Sequence, residues 1–271
     1  MLLIASSVGL LLTLAVATWW WAHPPDPATE LRARDHPLAR LERVAAPELG
    51  ARVERWRMIA ADGDTVSGLW RGPAPATTRN HPSATPTGAG AISASGQPAA
   101  PPSWVVVLLG GIGTDDRAAL LIPDSLAVGV LAVSWPWKGS RRMGRWEFIA
   151  RSPAIREAML RAPAAMARGV AAARHEAPGA RVALLGASLG APPTIAALAL
   201  TRPDALVIVD GAADLRALLR SETSRALGGG KVAALLAPAA GALAARLVSS
   251  LEPERHGAEA HGIPTLVLDA A

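Results

Sequence analysis

Apolar runs of strand length alternate with segments of helical spacing from residue 104 onward. The runs are continuous, as expected of strands that are covered on both faces, and they occupy residues 104–109, 127–134, 182–185, 205–209 and 263–268. Helices are predicted between them, over residues 115–125, 155–173 and from 191 onward. Strands that alternate with helices predict an α/β fold, with a doubly wound, mostly parallel sheet and right-handed crossovers.

Residues 51–71 carry the pattern of two further strands. Apolar and polar positions alternate on both sides of Asp62 and Gly63, which predicts a β-hairpin. We therefore place the start of a single domain, residues 51–271, at this hairpin. The preceding residues 23–50 are rich in proline and mixed in charge, and they predict a stalk with one short helix.

Two segments of this domain depart from the alternation of strands and helices. Residues 72–103 are mostly Gly, Pro, Ala, Ser and Thr. They cannot bury enough apolar surface to offset their chain entropy, which predicts a low-complexity insert. Residues 212–251 have a helical pattern and are apolar nearly all round over 232–248. Such a helix is buried, covers a site or touches a membrane, and we interpret 212–251 as cap helices.

The N-terminal residues 1–22 carry no charged side chain. An apolar run of about 20 residues is long enough to cross a bilayer as a helix, and three tryptophans at 19–21 stand where an interfacial aromatic belt would lie. The alternative is a cleaved signal peptide with its cleavage site at residues 15–17. Because no Lys or Arg precedes the run, we predict a single-pass transmembrane anchor and a membrane location, with the side of the membrane left open.

Composition excludes several classes of chemistry. The 271 residues include no cysteine, so disulfides, thiolate metal sites and cysteine nucleophiles are excluded. The net charge is +5, but the arginines are scattered among acidic residues, which argues against nucleic-acid binding. We predict no cofactor and no metal site, and the oligomeric state stays open.

A serine flanked by glycines two residues away on either side follows the apolar run at 182–185. The segment Gly186-Ala187-Ser188-Leu189-Gly190 is a G-x-S-x-G motif between a predicted strand and a predicted helix. A nucleophilic serine must stand on a tight, strained turn, so both flanking positions must be small. The start of the following helix also directs free backbone N–H groups toward a developing oxyanion. The alternative is a glycine-rich turn with an incidental serine.

At these residues the chain resembles the α/β-hydrolase superfamily of serine esterases, lipases and related acyl hydrolases, over roughly residues 50–271. The resemblance implies that Ser188 is the nucleophile and that the backbone N–H of Leu189 contributes to the oxyanion hole. It also implies an α/β-hydrolase type of sheet.

The same resemblance extends to the glycines that follow the run at 104–109. Superfamily members commonly carry a His-Gly-x motif here, in which the N–H of the third residue is the second oxyanion donor. Gly110 replaces the histidine in this chain, Gly111 matches the glycine, and Ile112 matches the donor. The alternative is an ordinary glycine turn.

Two tryptophans, Trp135 and Trp137, follow the run at 127–134, on the edge of the sheet expected to hold Ser188. We predict that they line an acyl pocket. A structural aromatic pair is the alternative.

The resemblance implies a catalytic acid and a histidine, in the order serine, acid, histidine. The acid usually follows the strand that matches 263–268 and the histidine follows one further strand, but this sequence ends at residue 271. Asp210 is the best substitute acid. The remaining histidines near predicted strands are interpreted as surface residues, namely His175, His256 and His261. We therefore interpret the chain as an incomplete hydrolase domain.

These observations predict a serine hydrolase of small-molecule acyl substrates, either carboxylic esters or thioesters. Without its histidine, the chain is expected to be inactive or weakly active. The alternative is a non-catalytic, membrane-anchored scaffold or binding protein with the same fold.

Overall fold

A single eight-stranded sheet organises the described residues of the computed structural model. The structure describes residues 26–74, 102–111, 114–137, 139, 145–211, 241–242, 245–246 and 248–269. The strands are β1 Leu38–Ala45, β2 Val53–Ala60, β3 Thr65–Arg71, β4 Trp104–Leu109, β5 Gly129–Val133, β6 Arg181–Ala187, β7 Ala205–Val209 and β8 Thr265–Leu268. The α-helices are α1 Pro27–Arg32, α2 Arg145–Glu176, α3 Ala191–Ala196 and α4 Gly257–Ala260.

The strand order is β1-β2-β3-β5-β4-β6-β7-β8. Strands β1, β2 and β3 form an antiparallel meander that pairs antiparallel with β5, and β5, β4, β6, β7 and β8 run parallel to one another. The predicted α/β fold with a mostly parallel sheet is therefore confirmed. The predicted hairpin is also present, because Ile59 pairs with Thr65 across a turn in which Gly63 has φ +84°.

The long helix α2 covers one face of the parallel strands. Its Leu160, Met166 and Val170 are buried and pack in one cluster with β4, β5 and β6. The helix lies so close to the sheet that a Cβ at Gly169 would stand 2.9 Å from Cγ1 of Val107. This helix therefore fixes the central strands, including the two strands that lead into the candidate site.

One predicted helix takes a different form in the structure. Residues 115–125, predicted as a helix, form the 3-10 turns Asp115–Leu120 and Asp124–Leu126. Pro123 separates the two turns, and a proline disfavours helical backbone at the residue before it.

The predicted stalk over residues 23–50 is wrong for its described part, because α1 and β1 belong to the domain. Strand β1 pairs with β2 along its length, and Leu31 of α1 is fully buried. Glu30 accepts hydrogen bonds from Arg156 of α2, at 2.6 Å, and from the hydroxyl of Ser250. The domain therefore includes residues well before its predicted start at 51.

The predicted N-terminal transmembrane helix needs correction, and with it the single-pass membrane location. Within the part of the chain that the structure describes, no helix combines the length and apolar character needed to span a bilayer. Residues 1–22, to which the prediction referred, lie outside the described residues. Most of the predicted insert over 72–103 and of the predicted cap helices over 212–251 lies outside them as well.

Candidate functional site

The parallel part of the sheet changes its direction of growth between β4 and β6. From β4 the chain moves outward to β5, then returns to the other side of β4 and adds β6, β7 and β8 in turn. In open α/β sheets, ligands bind in the crevice outside the carboxyl ends of the strands at such a point. The loop that begins at Gly110 and the turn that holds Ser188 both lie there.

Ser188 occupies a sharp turn between β6 and α3. Strand β6 ends at Ala187, the 3-10 turn Ser188–Gly190 follows, and α3 begins at Ala191. Ser188 is exposed and has φ +52°, a left-handed backbone conformation that is uncommon for a residue with a side chain. The turn thus places a strained, accessible hydroxyl at the carboxyl end of a central strand.

The two glycines of the motif allow this turn because neither position has room for a side chain. A Cβ at Gly186 would stand 2.8 Å from the Cα of Ala191 and 2.8 Å from Oγ1 of Thr194. A Cβ at Gly190 would overlap the carbonyl oxygen of Leu109. Each of these contacts is closer than real Cβ atoms make, so both glycines are required by packing.

A buried threonine also stabilises the turn. Sequence reasoning did not identify this residue. The hydroxyl of Thr194 donates to the carbonyl oxygen of Gly190 at 2.7 Å, and Thr194 is fully buried. Serine and threonine commonly bond the carbonyl four residues earlier in a helix, so a Thr four positions after Gly190 was the available signal.

The glycine loop after β4 lies directly against Ser188. A Cβ at Gly111 would stand 3.7 Å from Cβ of Ser188 and 3.9 Å from its Oγ. The structure thus brings Gly110 and Gly111 next to Ser188, although Ser188 lies 78 positions after Gly110 in the sequence. Ile112, the predicted second oxyanion donor, lies outside the described residues.

Strained backbone is concentrated at this edge of the sheet. Three of the described residues with side chains have positive φ in the loops that follow β4, β6 and β7: Asp115 at +49°, Ser188 at +52° and Asp210 at +47°. A fourth, Ala127, lies before β5 instead. Such strain persists only where the surroundings impose it, and it clusters at functional sites.

The other predicted site residues have different surroundings. Leu189 is partly buried and packs against the core. Asp210 is exposed at the end of β7, and its N–H donates to the carbonyl oxygen of Leu268 at 2.7 Å. Trp135 is buried in the core, and Trp137 is partly buried against the same cluster.

None of the described histidines is hydrogen-bonded to Ser188. His36 pairs with Asp62 at 3.2 Å, and His261 is exposed in the turn after α4. The prediction that His256 is a surface residue is wrong, because it is 1% exposed and its Nε2 lies 2.8 Å from the carbonyl oxygen of Ser250. That carbonyl replaces water as a hydrogen-bond partner, which is why a histidine can be buried there.

A cavity of about 520 Å³ lies elsewhere, between β1 and the second half of α2. It is lined by residues that include Asp35, Arg168, Arg174 and His175. Burial raises the pKa of Asp35, while the charges of Arg168 and His36 oppose that shift. None of the described residues in the loop 110–114 or in the turn 188–190 lines this cavity, so it is separate from the candidate site around Ser188.

Comparison with known proteins gives structural likenesses only. No protein-family model and no curated protein matches the chain. The chain is similar to the solved structure of an acetyl xylan esterase from Paenibacillus sp. R4, with 16% identity, 90% of this chain and 86% of that chain covered, and a TM-score of 0.45. A Pyrococcus furiosus esterase gives 13% identity, coverages of 87% and 88%, and a TM-score of 0.45. A carboxyl esterase from the fungus Tuber melanosporum gives 13% identity, coverages of 86% and 66%, and a TM-score of 0.44.

The described sheet itself assigns the fold. The antiparallel first strands, the reversal of strand order between β4 and β6 and the serine turn after β6 define a sheet of the α/β-hydrolase type. The resemblance noted from the sequence is thus confirmed at the level of the fold.

Proposed function

We propose that the protein is a serine hydrolase of carboxylic esters or thioesters, with Ser188 as its nucleophile. The single observation that carries this proposal is an exposed serine at φ +52° whose Cβ and Oγ lie 3.7 and 3.9 Å from where a Cβ on Gly111 would stand. A serine in such a turn projects away from the strand that precedes it and can reach an acyl carbon.

The chemistry would proceed in two stages. Oγ of Ser188 would form a bond to the acyl carbon as its proton passes to a base, and the carbonyl oxygen would become an oxyanion. The N–H groups of Leu189 and Ile112 would donate to that oxyanion. Collapse would expel the alcohol or thiol, which takes up a proton, and water would then cleave the acyl-serine to release the acid.

A serine hydroxyl needs a base, commonly a histidine oriented by a carboxylate. We propose Asp210 for the carboxylate, because it follows β7 and β7 is the neighbour of β6. Without a bonded histidine, the turn and oxyanion donors alone would support a slow reaction, since they leave a residual acceleration of about 10³–10⁴ over water.

The experiment that tests this function is labelling with a fluorophosphonate. Oγ of Ser188 would form a bond to phosphorus as the P–F bond breaks, with fluoride leaving and the hydroxyl proton passing to water or a base. We expect a single adduct on Ser188, located by peptide mass spectrometry, and no adduct in Ser188→Ala. Labelling at a different serine, or none in the intact protein, would contradict the proposal.

A non-catalytic binding protein of the same fold is the second candidate. The arrangement of the described histidines favours it, since none is bonded to Ser188. Two results together would support the hydrolase: labelling at Ser188, and hydrolysis of p-nitrophenyl acetate that is lost in Ser188→Ala. Labelling without such hydrolysis would support the binding protein.

A further inference from the structure

Trp135 is bound at two points to a loop that belongs to a different strand. Its indole Nε1–H donates to the carbonyl oxygen of Gly110 at 2.8 Å, in a buried position. Its backbone N–H donates to Oδ1 of Asp115 at 2.8 Å. Trp135 follows β5, whereas Gly110 and Asp115 follow β4, so this one residue ties together two loops at the carboxyl edge of the sheet.

The next carbonyl of the loop is held as well. The carbonyl oxygen of Gly111 accepts from the N–H of Thr114 at 3.1 Å, from the N–H of Asp115 at 3.0 Å and from the hydroxyl of Thr114 at 3.1 Å. In a planar trans peptide group the C=O and N–H point in opposite directions. Holding a carbonyl therefore fixes the direction of the N–H in the same peptide group.

This rule connects Trp135 to the candidate oxyanion hole. The Gly110 carbonyl shares a peptide group with the N–H of Gly111. Gly111 faces Ser188, because a Cβ placed on Gly111 would stand 3.7 Å from Cβ of Ser188 and 3.9 Å from its Oγ. A buried tryptophan needs some acceptor for its N–H, and a distant carbonyl would serve that need equally well. The acceptor used here is the carbonyl of Gly110, the residue before Gly111, so the bond orients the loop and not only the indole.

We infer that Trp135 is a positioning residue for the glycine loop. Its indole N–H holds the Gly110 carbonyl and thereby fixes the direction of the Gly111 N–H, one peptide group before the oxyanion donor proposed at Ile112. Asp115 completes the arrangement by holding the backbone of Trp135 and donating its own N–H to Gly111. This inference rests on the proposed serine-hydrolase function.

The first test is Trp135→Phe, which keeps an aromatic ring and removes the N–H donor. The control is Trp104→Phe at the opposite end of β4, where the ring lies under the guanidinium of Arg181. With a fluorophosphonate as the probe, we expect the limiting labelling rate of Trp135→Phe to fall about 10-fold, less than the ~10²–10³ lost when an oxyanion donor is deleted. The half-saturating probe concentration should stay within about twofold, because the oxyanion develops only in the transition state.

A pair of variants at Asp115 provides the rescue experiment. Asp115→Asn retains an acceptor for the Trp135 N–H and tolerates positive φ, so it should label at nearly the rate of the intact protein. Asp115→Ala loses both properties and should label at about the rate of Trp135→Phe. Equal rates for the two Asp115 variants would overturn the inference.

The contact itself can be observed without any chemistry at Ser188. In ¹⁵N-labelled protein, the indole N–H signal lost in Trp135→Phe should exchange with solvent much more slowly than the indole N–H of the half-exposed Trp104. Rapid exchange of the Trp135 indole would overturn the inference. So would labelling of Trp135→Phe at the rate of Trp104→Phe, whereas absence of labelling in the intact protein would refute the proposed function and the inference together.

Discussion

Gly190 and Leu109 meet backbone to backbone where the turn after β6 passes the end of β4. A side chain on Gly190 would overlap the carbonyl oxygen of Leu109 and stand 2.9 Å from that of Gly110. Because neither carbonyl belongs to a flexible group, one of the two loops would have to move. The position of Ser188 relative to the glycine loop therefore depends on the absence of a side chain at residue 190.

Gly190→Ala should destabilise the protein and displace the turn. We expect a loss of about 1–3 kcal/mol in the free energy of unfolding, as for other overpacked sites, together with slower fluorophosphonate labelling. The control is Gly257→Ala at the start of α4, where φ is −62° and no atom lies within 4 Å of the added Cβ. That variant should be stabilised by about 0.4–1 kcal/mol. Equal urea midpoints for the two variants would contradict the packing described here.

Ser188→Gly should be more stable than Ser188→Ala. Both variants lack the hydroxyl, but only alanine keeps the left-handed strain at φ +52°. That strain costs about 1–2 kcal/mol for a residue with a side chain, and glycine offsets part of it through its greater entropy in the unfolded chain, about 0.5–1 kcal/mol. A net difference of about 0.5–1 kcal/mol in urea unfolding is expected. Identical stabilities would mean that residue 188 is not strained.

Asp64 should make the free energy of unfolding of the domain decrease at acid pH. It accepts from Arg161 and, at 2.8 Å, from Arg168, which is 2% exposed. Burial alone would raise the pKa of Asp64, but the hydrogen bonds and charges of the two arginines outweigh it and hold the pKa below its ordinary value. The stabilisation is therefore present above the unfolded-state pKa of about 3.9. It is lost as the pH falls through the lower folded-state value.

Asp64→Asn tests this linkage. At pH 7 it should cost about 2–3 kcal/mol, because Arg168 stays buried without its ionised partner. The difference from the unmodified protein should shrink as the pH approaches 3. The control Asp62→Asn, at an exposed position of the same turn, should stay within about ±0.5 kcal/mol at both pH values. A constant difference across the pH range would refute the linkage.

Leu31→Ala tests whether α1 belongs to the domain. Leu31 is fully buried, so truncation should cost about 2–5 kcal/mol of unfolding free energy. Leu121→Ala removes the same atoms at a position that is 70% exposed and should change stability by less than about 0.5 kcal/mol. If both variants unfold at the same urea concentration, α1 contributes nothing to the core.

The parts of the fold that sequence reasoning predicted well are those with a strong local signal. Strands β4 and β7 were expected at their observed bounds, since each is a continuous apolar run. The serine turn also has a local signal, because both glycines are required by contacts within a few residues or with the adjacent strand.

Strand β1 was missed because its sequence carries no such signal. It is an edge strand, all eight of its residues are exposed or partly exposed, and its pairing is irregular between Leu38 and Arg40. Its apolar positions therefore need not alternate. The residues before β1 are rich in proline, and β1 itself is mixed in charge. This composition led to the prediction of a stalk.

Two buried side-chain hydrogen bonds were missed for a different reason. The indole of Trp135 bonds a carbonyl 25 positions earlier, and the ring of His256 bonds the carbonyl of Ser250. In both cases the partner is a backbone oxygen, which every residue carries. Side-chain patterns cannot distinguish one backbone oxygen from another, so only the folded chain identifies the partner.

Residues 186 and 190 of the serine turn are restricted by packing, whereas residue 188 is not. Folding and function therefore place different requirements on neighbouring positions. In a library that randomises residues 186, 188 and 190 and is selected only for folded protein, glycine should dominate at 186 and 190. Position 188 should instead be enriched in glycine, asparagine and aspartate, which tolerate left-handed backbone. Serine would hold position 188 only when the same library is selected for reaction with an acyl probe, so the two selections would reveal which requirement maintains each residue.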